Sequence, residues 1–129
     1  MAAAVAAHAR LVWGDAPVIA VVEPDDAPAL ARSIKEGRAV KADGPVSVMG
    51  RLDCKEPSLI ALKGLARDAD YFLTISEEEA EDGTRRAAKV DFASTPSGAA
   101  GIAALLAADG SSLGLDCASH VLTFLTEAP

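Results

Sequence analysis

The chain has 129 residues, half of them apolar, and a formal net charge of −7. This length and apolar content support one folded domain with a core and exclude a disordered chain. The acidic charge and the scattered Lys and Arg residues argue against nucleic acid or an anionic membrane surface as a partner, and no apolar run is long enough to span a bilayer.

The cysteines and the first residues bear on the compartment. Cys54 and Cys117 fit no metal-ligand spacing, and the first residues lack the basic start of a secretory signal. We therefore expect reduced thiols in a cytoplasmic protein and no metal site built on cysteine.

Helices and strands are predicted to alternate in the first half of the chain. The first helix covers Met1–Trp13 and a second covers Ala27–Glu36, each closed by a glycine. Between them, Val18–Val22 is a run of five apolar residues rich in β-branched types, which is typical of a buried parallel strand. A third helix is predicted to begin at Glu56-Pro57-Ser58, with leucines at helical spacing on one face.

The second half continues the alternation. Asp70–Ile75 is predicted to form a strand, and Ser76 with Glu79 predicts a capping box at the start of the next helix. A short apolar run, Val90–Ala93, and a last strand, Val121–Leu125, follow.

This order predicts a single α/β domain over residues 1–129. We expect three layers, α-β-α, around a mostly parallel sheet of about four strands. The chain begins inside a predicted helix, whereas an α/β domain normally begins on a strand, so we expect it to be the back half of a larger unit.

The stretch from Ser94 to Leu106 is the strongest candidate for a ligand-binding element. Thr95 can cap a helix and Pro96 suits the first helical position. The small residues from Ser97 onward allow close approach of backbone or ligand, and Ala99–Ala108 is apolar all round, which predicts burial on most sides. In such a unit the start of the helix is a ready anion or cofactor site.

Other polar clusters have simpler interpretations. Glu23, Asp25 and Asp26 are a candidate cation site, but a solvated loop before a helix is favoured. Four lysines are Schiff-base candidates by residue type, yet none lies in an apolar context that would lower its pKa, so surface positions are favoured. They are Lys41, Lys55, Lys63 and Lys89. The residues alone therefore give no complete catalytic set.

Four segments, taken together and in order, resemble the fold-type II pyridoxal-phosphate enzymes. This family includes the serine/threonine dehydratases and the tryptophan synthase β-subunit, and the branch that the chain resembles most is diaminopropionate ammonia-lyase. The segment Val48–Ser58 resembles that branch's Met-x-Gly-Leu-x-Cys stretch and is the most branch-specific of the four, although the spacing at Arg51-Leu52 departs from it. The four segments are Val18–Pro24, Val48–Ser58, Ser94–Leu106 and Phe124–Glu127.

The resemblance implies a fold, a reaction and a missing front end. Met1–Ala7 is similar to the helix that follows the family's glycine-rich phosphate loop, so that loop and the Schiff-base lysine would lie upstream. The chain would then be the C-terminal half of the large domain of the tryptophan synthase β-like fold. The implied reaction is α,β-elimination of an amino acid to a 2-oxo acid and ammonia. We expect no catalytic residue in this chain and no cofactor bound by it alone.

The resemblance also assigns roles to a few residues. Thr126 matches the position whose hydroxyl faces the pyridine nitrogen, and Thr95 stands where the family usually has a glutamate. Ser97 and Gly98 belong to the same turn, so these four residues are the predicted cofactor-binding set. Dehydratase relatives bind a cation near the Glu-Pro turn, but Ala29 stands where a carboxylate ligand is expected, and we predict no metal.

Three functional hypotheses remain open. The first is a fragment or remnant of a pyridoxal-phosphate ammonia-lyase acting on a small amino acid such as 2,3-diaminopropionate. The second is a non-catalytic α/β module for dimerisation or regulation, which associates as a homodimer or with a partner chain through the apolar surface that the missing half would cover. The third is a small-ligand sensor that uses the helix start at Ser97.

Overall fold

A two-stranded parallel sheet lies at the centre of the fold. The computed structural model describes residues 1–108 and 110–128. Strands β1 (Ala20–Pro24) and β2 (Tyr71–Ile75) pair in parallel, with Val21 opposite Phe72 and Val22 opposite Leu73. The helices are α1 (Ala2–Trp13), α2 (Ala29–Glu36), α3 (Leu59–Asp68), α4 (Glu77–Ala88) and α5 (Ala100–Ala107), and a 3-10 turn covers Gly110–Leu113.

Helices cover both faces of this sheet, as the sequence predicts. Because side chains alternate along a strand, Val21 packs on one face with Ala6 of α1 and Leu65 of α3. Ile75 packs on the other face with Met49 and the alanines of α4 and α5. The three-layer α/β architecture is therefore confirmed, with α1 and α3 in one layer and α4 and α5 in the other.

The sheet is smaller than the predicted four strands. Within the described residues it consists of β1 and β2 only. Val90–Ala93 is not a strand, because the amides of Val90 and Phe92 bond back to the Ala87 carbonyl and Asp91 takes a φ of 67°. Val121–Leu125 also carries no strand pairing and instead lies beside α5, where Thr123 faces Gly101. An apolar run forms a strand only where a neighbouring strand offers its backbone groups.

The closing glycine and the capping box that the sequence predicts at helix ends are present in the structure. Gly37 ends α2 in the left-handed conformation with a φ of 66°. At the start of α4, the Glu79 amide donates to Ser76 Oγ at 3.2 Å, and the Ser76 amide donates to Glu79 Oε2 at 2.8 Å. The predicted capping box is thus present with both of its hydrogen bonds.

Helix α5 is buried on one side rather than all round. Ala100, Ala103 and Ala104 are buried, whereas Leu106 is 40% exposed.

Among the described residues, none of the helices combines the length and apolar character needed to cross a membrane.

Candidate functional site

Thr95 organises the turn that leads into α5. Its Oγ1 accepts a hydrogen bond from the Gly98 amide at 3.0 Å, and its carbonyl accepts one from the Ala99 amide at 2.9 Å. The predicted capping role of Thr95 is therefore present, although it caps the turn 96–99 that precedes α5 rather than α5 itself.

A carboxylate from the end of the chain reaches this turn. Thr95 Oγ1 donates to Glu127 Oε2 at 2.5 Å, and Ser94 Oγ donates to the Glu127 carbonyl at 2.7 Å. The side chain of Glu127 is only 25% exposed. Two hydroxyls that lie more than 30 residues away in sequence thus fix the backbone and the side chain of Glu127.

The loop between α2 and α3 joins the same place. The Arg51 amide donates to Ser97 Oγ at 3.1 Å, and Arg51 Nε lies 3.5 Å from Glu127 Oε1. Because the Arg51 side chain is 83% exposed, this ion pair is screened by solvent and contributes little to stability. Its guanidinium nevertheless gives the edge of the site a positive charge.

Gly98 is held between two parts of this arrangement. A Cβ at Gly98 would overlap Ser94 Oγ and would lie 3.0 Å from the Glu127 amide nitrogen. Glycine is therefore required by close approach of the two segments, as its position among small residues suggests.

The structure brings together three of the four predicted cofactor-binding residues. Thr95, Ser97 and Gly98 lie in one turn, and Ser97 and Gly98 are buried. Thr126 is exposed, and it is connected to the turn through its neighbour Glu127. We refer to Ser94–Gly98 together with Thr126 and Glu127 as the 94–98/127 cluster.

Sequence reasoning missed Glu127 and Arg51 as members of this cluster. One usable signal was the acidic residue directly after Thr126. The other was Arg51 itself, which occupies the point where the loop departs from the resembled pattern.

The chemistry of the cluster suits one edge of a pyridoxal phosphate. The exposed hydroxyl of Thr126 can form a neutral hydrogen bond to a ring nitrogen, and the small residues of the turn allow a flat ring to approach. Within the described residues, no lysine forms a hydrogen bond or ion pair with the turn or with Glu127.

Glu23 stabilises the start of α2 with both of its carboxylate oxygens. Oε1 accepts from the Leu30 amide and Oε2 from the Ala31 amide, each at 2.8 Å. Burial raises the pKa of the Glu23 carboxyl, and these two hydrogen bonds oppose that rise. Both oxygens point at the helix, Ala29 offers no carboxylate, and the described residues contain no group of three or more metal-ligating side chains. These residues do not fit a metal at this turn.

Lys55 is more enclosed than the surface position favoured by the sequence. Its side chain is 24% exposed, and its ammonium lies 2.5 Å from Asp53 Oδ1. It also donates to the carbonyls of Asp26 at 2.8 Å and Pro45 at 2.6 Å. Lys55 thus joins the loop before α3 to the turn after β1.

The fold and the 94–98/127 cluster define an α/β domain with a small-residue turn at a helix start, as in cofactor-binding α/β enzymes. The model of the pyridoxal-phosphate-dependent enzyme family matches residues 1–127, and the chain belongs to this family.

Two solved structures share the fold. The chain is similar to a threonine deaminase from T.th., with a TM-score of 0.75 and 23% identity over 81% of this chain. It is also similar to maize serine racemase, with a TM-score of 0.76 and 21% identity over 84% of this chain. The matches span 39% and 32% of those two chains, respectively. A search of curated proteins gave no match.

Proposed function

We propose that this chain supplies one wall of the cofactor site in a pyridoxal-phosphate-dependent lyase that releases ammonia from a small amino acid such as 2,3-diaminopropionate. The observation that carries the proposal is the 94–98/127 cluster. There, Ser94 and Thr95 hold Glu127 in place, directly beside the exposed Thr126.

In this proposal Thr126 orients the cofactor and the other residues position Thr126. A threonine hydroxyl hydrogen-bonds to a ring nitrogen without placing a charge there. When bound, the cofactor supplies an electron sink for carbanion chemistry next to the amino group of the substrate. The hydrogen bonds of Thr95 and Ser94 to Glu127 restrict the segment that carries Thr126, which reduces the cost of ordering it on binding.

The choice of an ammonia-lyase rests on the resemblance of Val48–Cys54 to that branch. The Schiff-base lysine and the phosphate loop are proposed to come from a segment outside these 129 residues. A cytoplasmic location is proposed as well, and two free, exposed cysteines, Cys54 and Cys117, support it because exposed thiols suit a reducing compartment.

The test compares the 129-residue chain with the product of its complete gene. The complete product, with pyridoxal phosphate, should release ammonia and a 2-oxo acid from 2,3-diaminopropionate faster than from serine or threonine. Thr126→Val should lower the rate and shift the cofactor absorbance, and Thr126→Ser should restore both.

Borohydride reduction followed by mass spectrometry should find no modified lysine in the 129-residue chain. A specific adduct on one of its lysines would contradict the proposal.

A second candidate function is association through the layer formed by α1 and α3. Several large apolar side chains of this layer are exposed, with Leu11 at 83%, Ile60 at 88% and Leu59 at 69%. Exposed apolar side chains on this scale favour association with a second copy or with a partner chain. Sedimentation velocity should show association as concentration rises, and Leu11→Ser with Ile60→Ser should weaken it. Leu122→Ser, at an exposed leucine outside this layer, is the matched control. A monomer at every concentration would argue against this candidate.

A further inference from the structure

Glu77, the first residue of α4, bonds to a distant loop with both of its carboxylate oxygens. Oε1 accepts a hydrogen bond from Ser47 Oγ and Oε2 accepts one from the Val48 amide, each at 2.6 Å. The Met49 amide donates to the same Ser47 Oγ at 3.0 Å. Glu77 thus holds a segment that lies about 30 residues earlier in the sequence, and we call Ser47–Arg51 the 47–51 loop.

The 47–51 loop is also held at its centre and at its end. Met49 is fully buried and packs with Ile75 of β2 and with the alanines of α4 and α5. At the end of the loop, the Arg51 amide donates to Ser97 Oγ at 3.1 Å. The loop therefore connects the start of α4 to the turn of the 94–98/127 cluster.

The carboxylate of Glu77 is not needed to cap α4. Ser76 and Glu79 form both hydrogen bonds of the capping box, and Glu78 supplies further negative charge at the start of the helix. A carboxylate that accepts from an amide and from a hydroxyl makes charge-assisted hydrogen bonds, which are stronger than those between neutral groups. The contacts of Glu77 therefore serve the position of the loop.

We propose that Glu77 is a positioning residue of the cofactor site, which acts through the 47–51 loop on Ser97 and its turn. This inference rests on the proposed role of the 94–98/127 cluster in holding pyridoxal phosphate. Within the described residues, the hydrogen bonds of the Glu77 carboxylate go to Ser47 and Val48 and not to the cluster. An effect of Glu77 on cofactor binding therefore has to pass through the loop.

Amide hydrogen exchange of the 129-residue chain tests the loop without any cofactor. Glu77→Ala should raise the exchange rates of the Val48, Met49 and Arg51 amides by about tenfold or more, because the loop then opens more often. Glu77→Gln keeps an acceptor for the Val48 amide and should restore at least half of the protection. Glu78→Ala is the matched control, since it removes one exposed carboxylate from the same turn of α4, and it should leave these rates unchanged.

Titration of the complete gene product with pyridoxal phosphate, followed by the cofactor absorbance, tests the effect on the site. Glu77→Ala and Ser97→Ala should each raise the apparent Kd by about threefold or more, whereas Glu78→Ala should not. Adding Glu77→Ala to Ser97→Ala should raise the apparent Kd little further, because the loop then has no Ser97 hydroxyl to act on. Residues that act independently would instead give additive effects.

Glu77→Asp, whose side chain is one methylene group shorter, serves where the alanine variant does not fold. It should change both measurements in the same direction as Glu77→Ala. Unchanged amide exchange, equal effects of Glu77→Ala and Glu78→Ala, or full additivity with Ser97→Ala overturns the proposal. A complete product that binds pyridoxal phosphate but releases no ammonia contradicts the lyase proposal alone, whereas one that binds no cofactor overturns both.

Discussion

At Gly98, the turn before α5 lies so close to Glu127 that no methyl group fits between them. We expect Gly98→Ala to destabilise the protein by about 1–3 kcal/mol, because the new Cβ would overlap Ser94 Oγ and crowd the Glu127 amide. Urea denaturation would measure the loss as a lower midpoint with an unchanged slope.

Gly101→Ala is the control for this substitution. The nearest atom to its new Cβ would be Thr123 Cβ at 3.6 Å, an ordinary contact. Because alanine also favours helix α5, this variant should be as stable as the unsubstituted protein or more stable. Equal destabilisation at both positions would contradict the packing explanation.

Glu23 makes the free energy of unfolding depend on pH, and the sign of this dependence follows from its raised pKa. Because the pKa of the Glu23 carboxyl is raised above its ordinary value of 4.5, the folded state holds this proton more tightly than the unfolded chain does. The associated stabilisation is complete below pH 4.5 and is lost as pH rises through the folded pKa. We expect the difference in unfolding free energy between the unsubstituted protein and Glu23→Gln to fall as pH rises through this window.

Urea denaturation from about pH 4 to about pH 7 would measure the effect of Glu23. Glu78→Gln, which removes an exposed carboxylate at the start of α4, checks that loss of one negative charge alone does not reproduce it. A constant difference across this pH range would contradict the role of burial.

Individual contacts at the site could be predicted only where they are local. The turn bond from Gly98 to Thr95 spans three residues, and the capping role of Thr95 follows from its residue type. The bond from Thr95 to Glu127 spans 32 residues, and the bond from Arg51 to Ser97 spans 46. No local pattern encodes such contacts, because they depend on how whole elements are brought together.

Two helices meet at Gly83, where α4 packs directly on α5. A Cβ at Gly83 would overlap the Ala103 side chain and would lie 2.5 Å from its Cα, so α5 itself would have to move. We expect Gly83→Ala to cost about 1–3 kcal/mol, as overpacking does, despite the higher helix propensity of alanine. Thermal unfolding would show a lower Tm.

Gly64 is the matched position in α3. A Cβ there would contact only Ala3 Cβ at 3.6 Å. Gly64→Ala should therefore stabilise the protein by up to about 1 kcal/mol through helix propensity. If Gly83→Ala also stabilises the protein, propensity rather than packing controls the contact between α4 and α5.

Helix ends were predicted well, and strand pairing was not. Gly37 and the pair Ser76–Glu79 act on their own neighbours within a few residues, so their signals are readable directly. Val121–Leu125 has strand-like composition, yet it packs beside α5 without a partner strand. Composition reports that a segment is suited to a sheet, whereas pairing also requires an available neighbour.

Arg10 links four parts of the molecule at one end of the sheet. Its guanidinium donates to the carbonyls of Asp68, Gly14 and Pro17 and to the carboxylate of Asp70, at distances between 2.7 and 3.2 Å. Asp70 also accepts from the Ile19 amide at 2.7 Å. These bonds connect α1, the turn before β1, the end of α3 and the start of β2.

We expect Arg10→Lys to destabilise the protein by about 1–3 kcal/mol. A lysine ammonium keeps the charge but cannot reproduce the planar fork of donors, so several carbonyls would lose their partner. The free energy of unfolding in urea measures the effect. Arg85→Lys, an exposed position paired with Asp82 on α4, should leave the midpoint unchanged. A similar loss at both positions would contradict the linking role of Arg10.

At the scale of the molecule, the layer order was predictable and the extent of the sheet was not. Alternating apolar runs and amphipathic helices predict helices on both faces of a parallel sheet, and β1 and β2 are covered in this way. The number of strands in a sheet also depends on which other segments are present to pair with them. The two similar solved structures are each more than twice as long as the part that matches this chain.

The single tryptophan gives the molecule an intrinsic optical reporter. Trp13 ends α1 with its side chain 55% exposed, on the layer that carries the exposed apolar residues. Its fluorescence should therefore move to shorter wavelength when that layer becomes covered. A stopped-flow experiment on unlabelled protein can thus time the arrival of a partner chain, and acrylamide quenching can report the fraction of molecules covered at equilibrium.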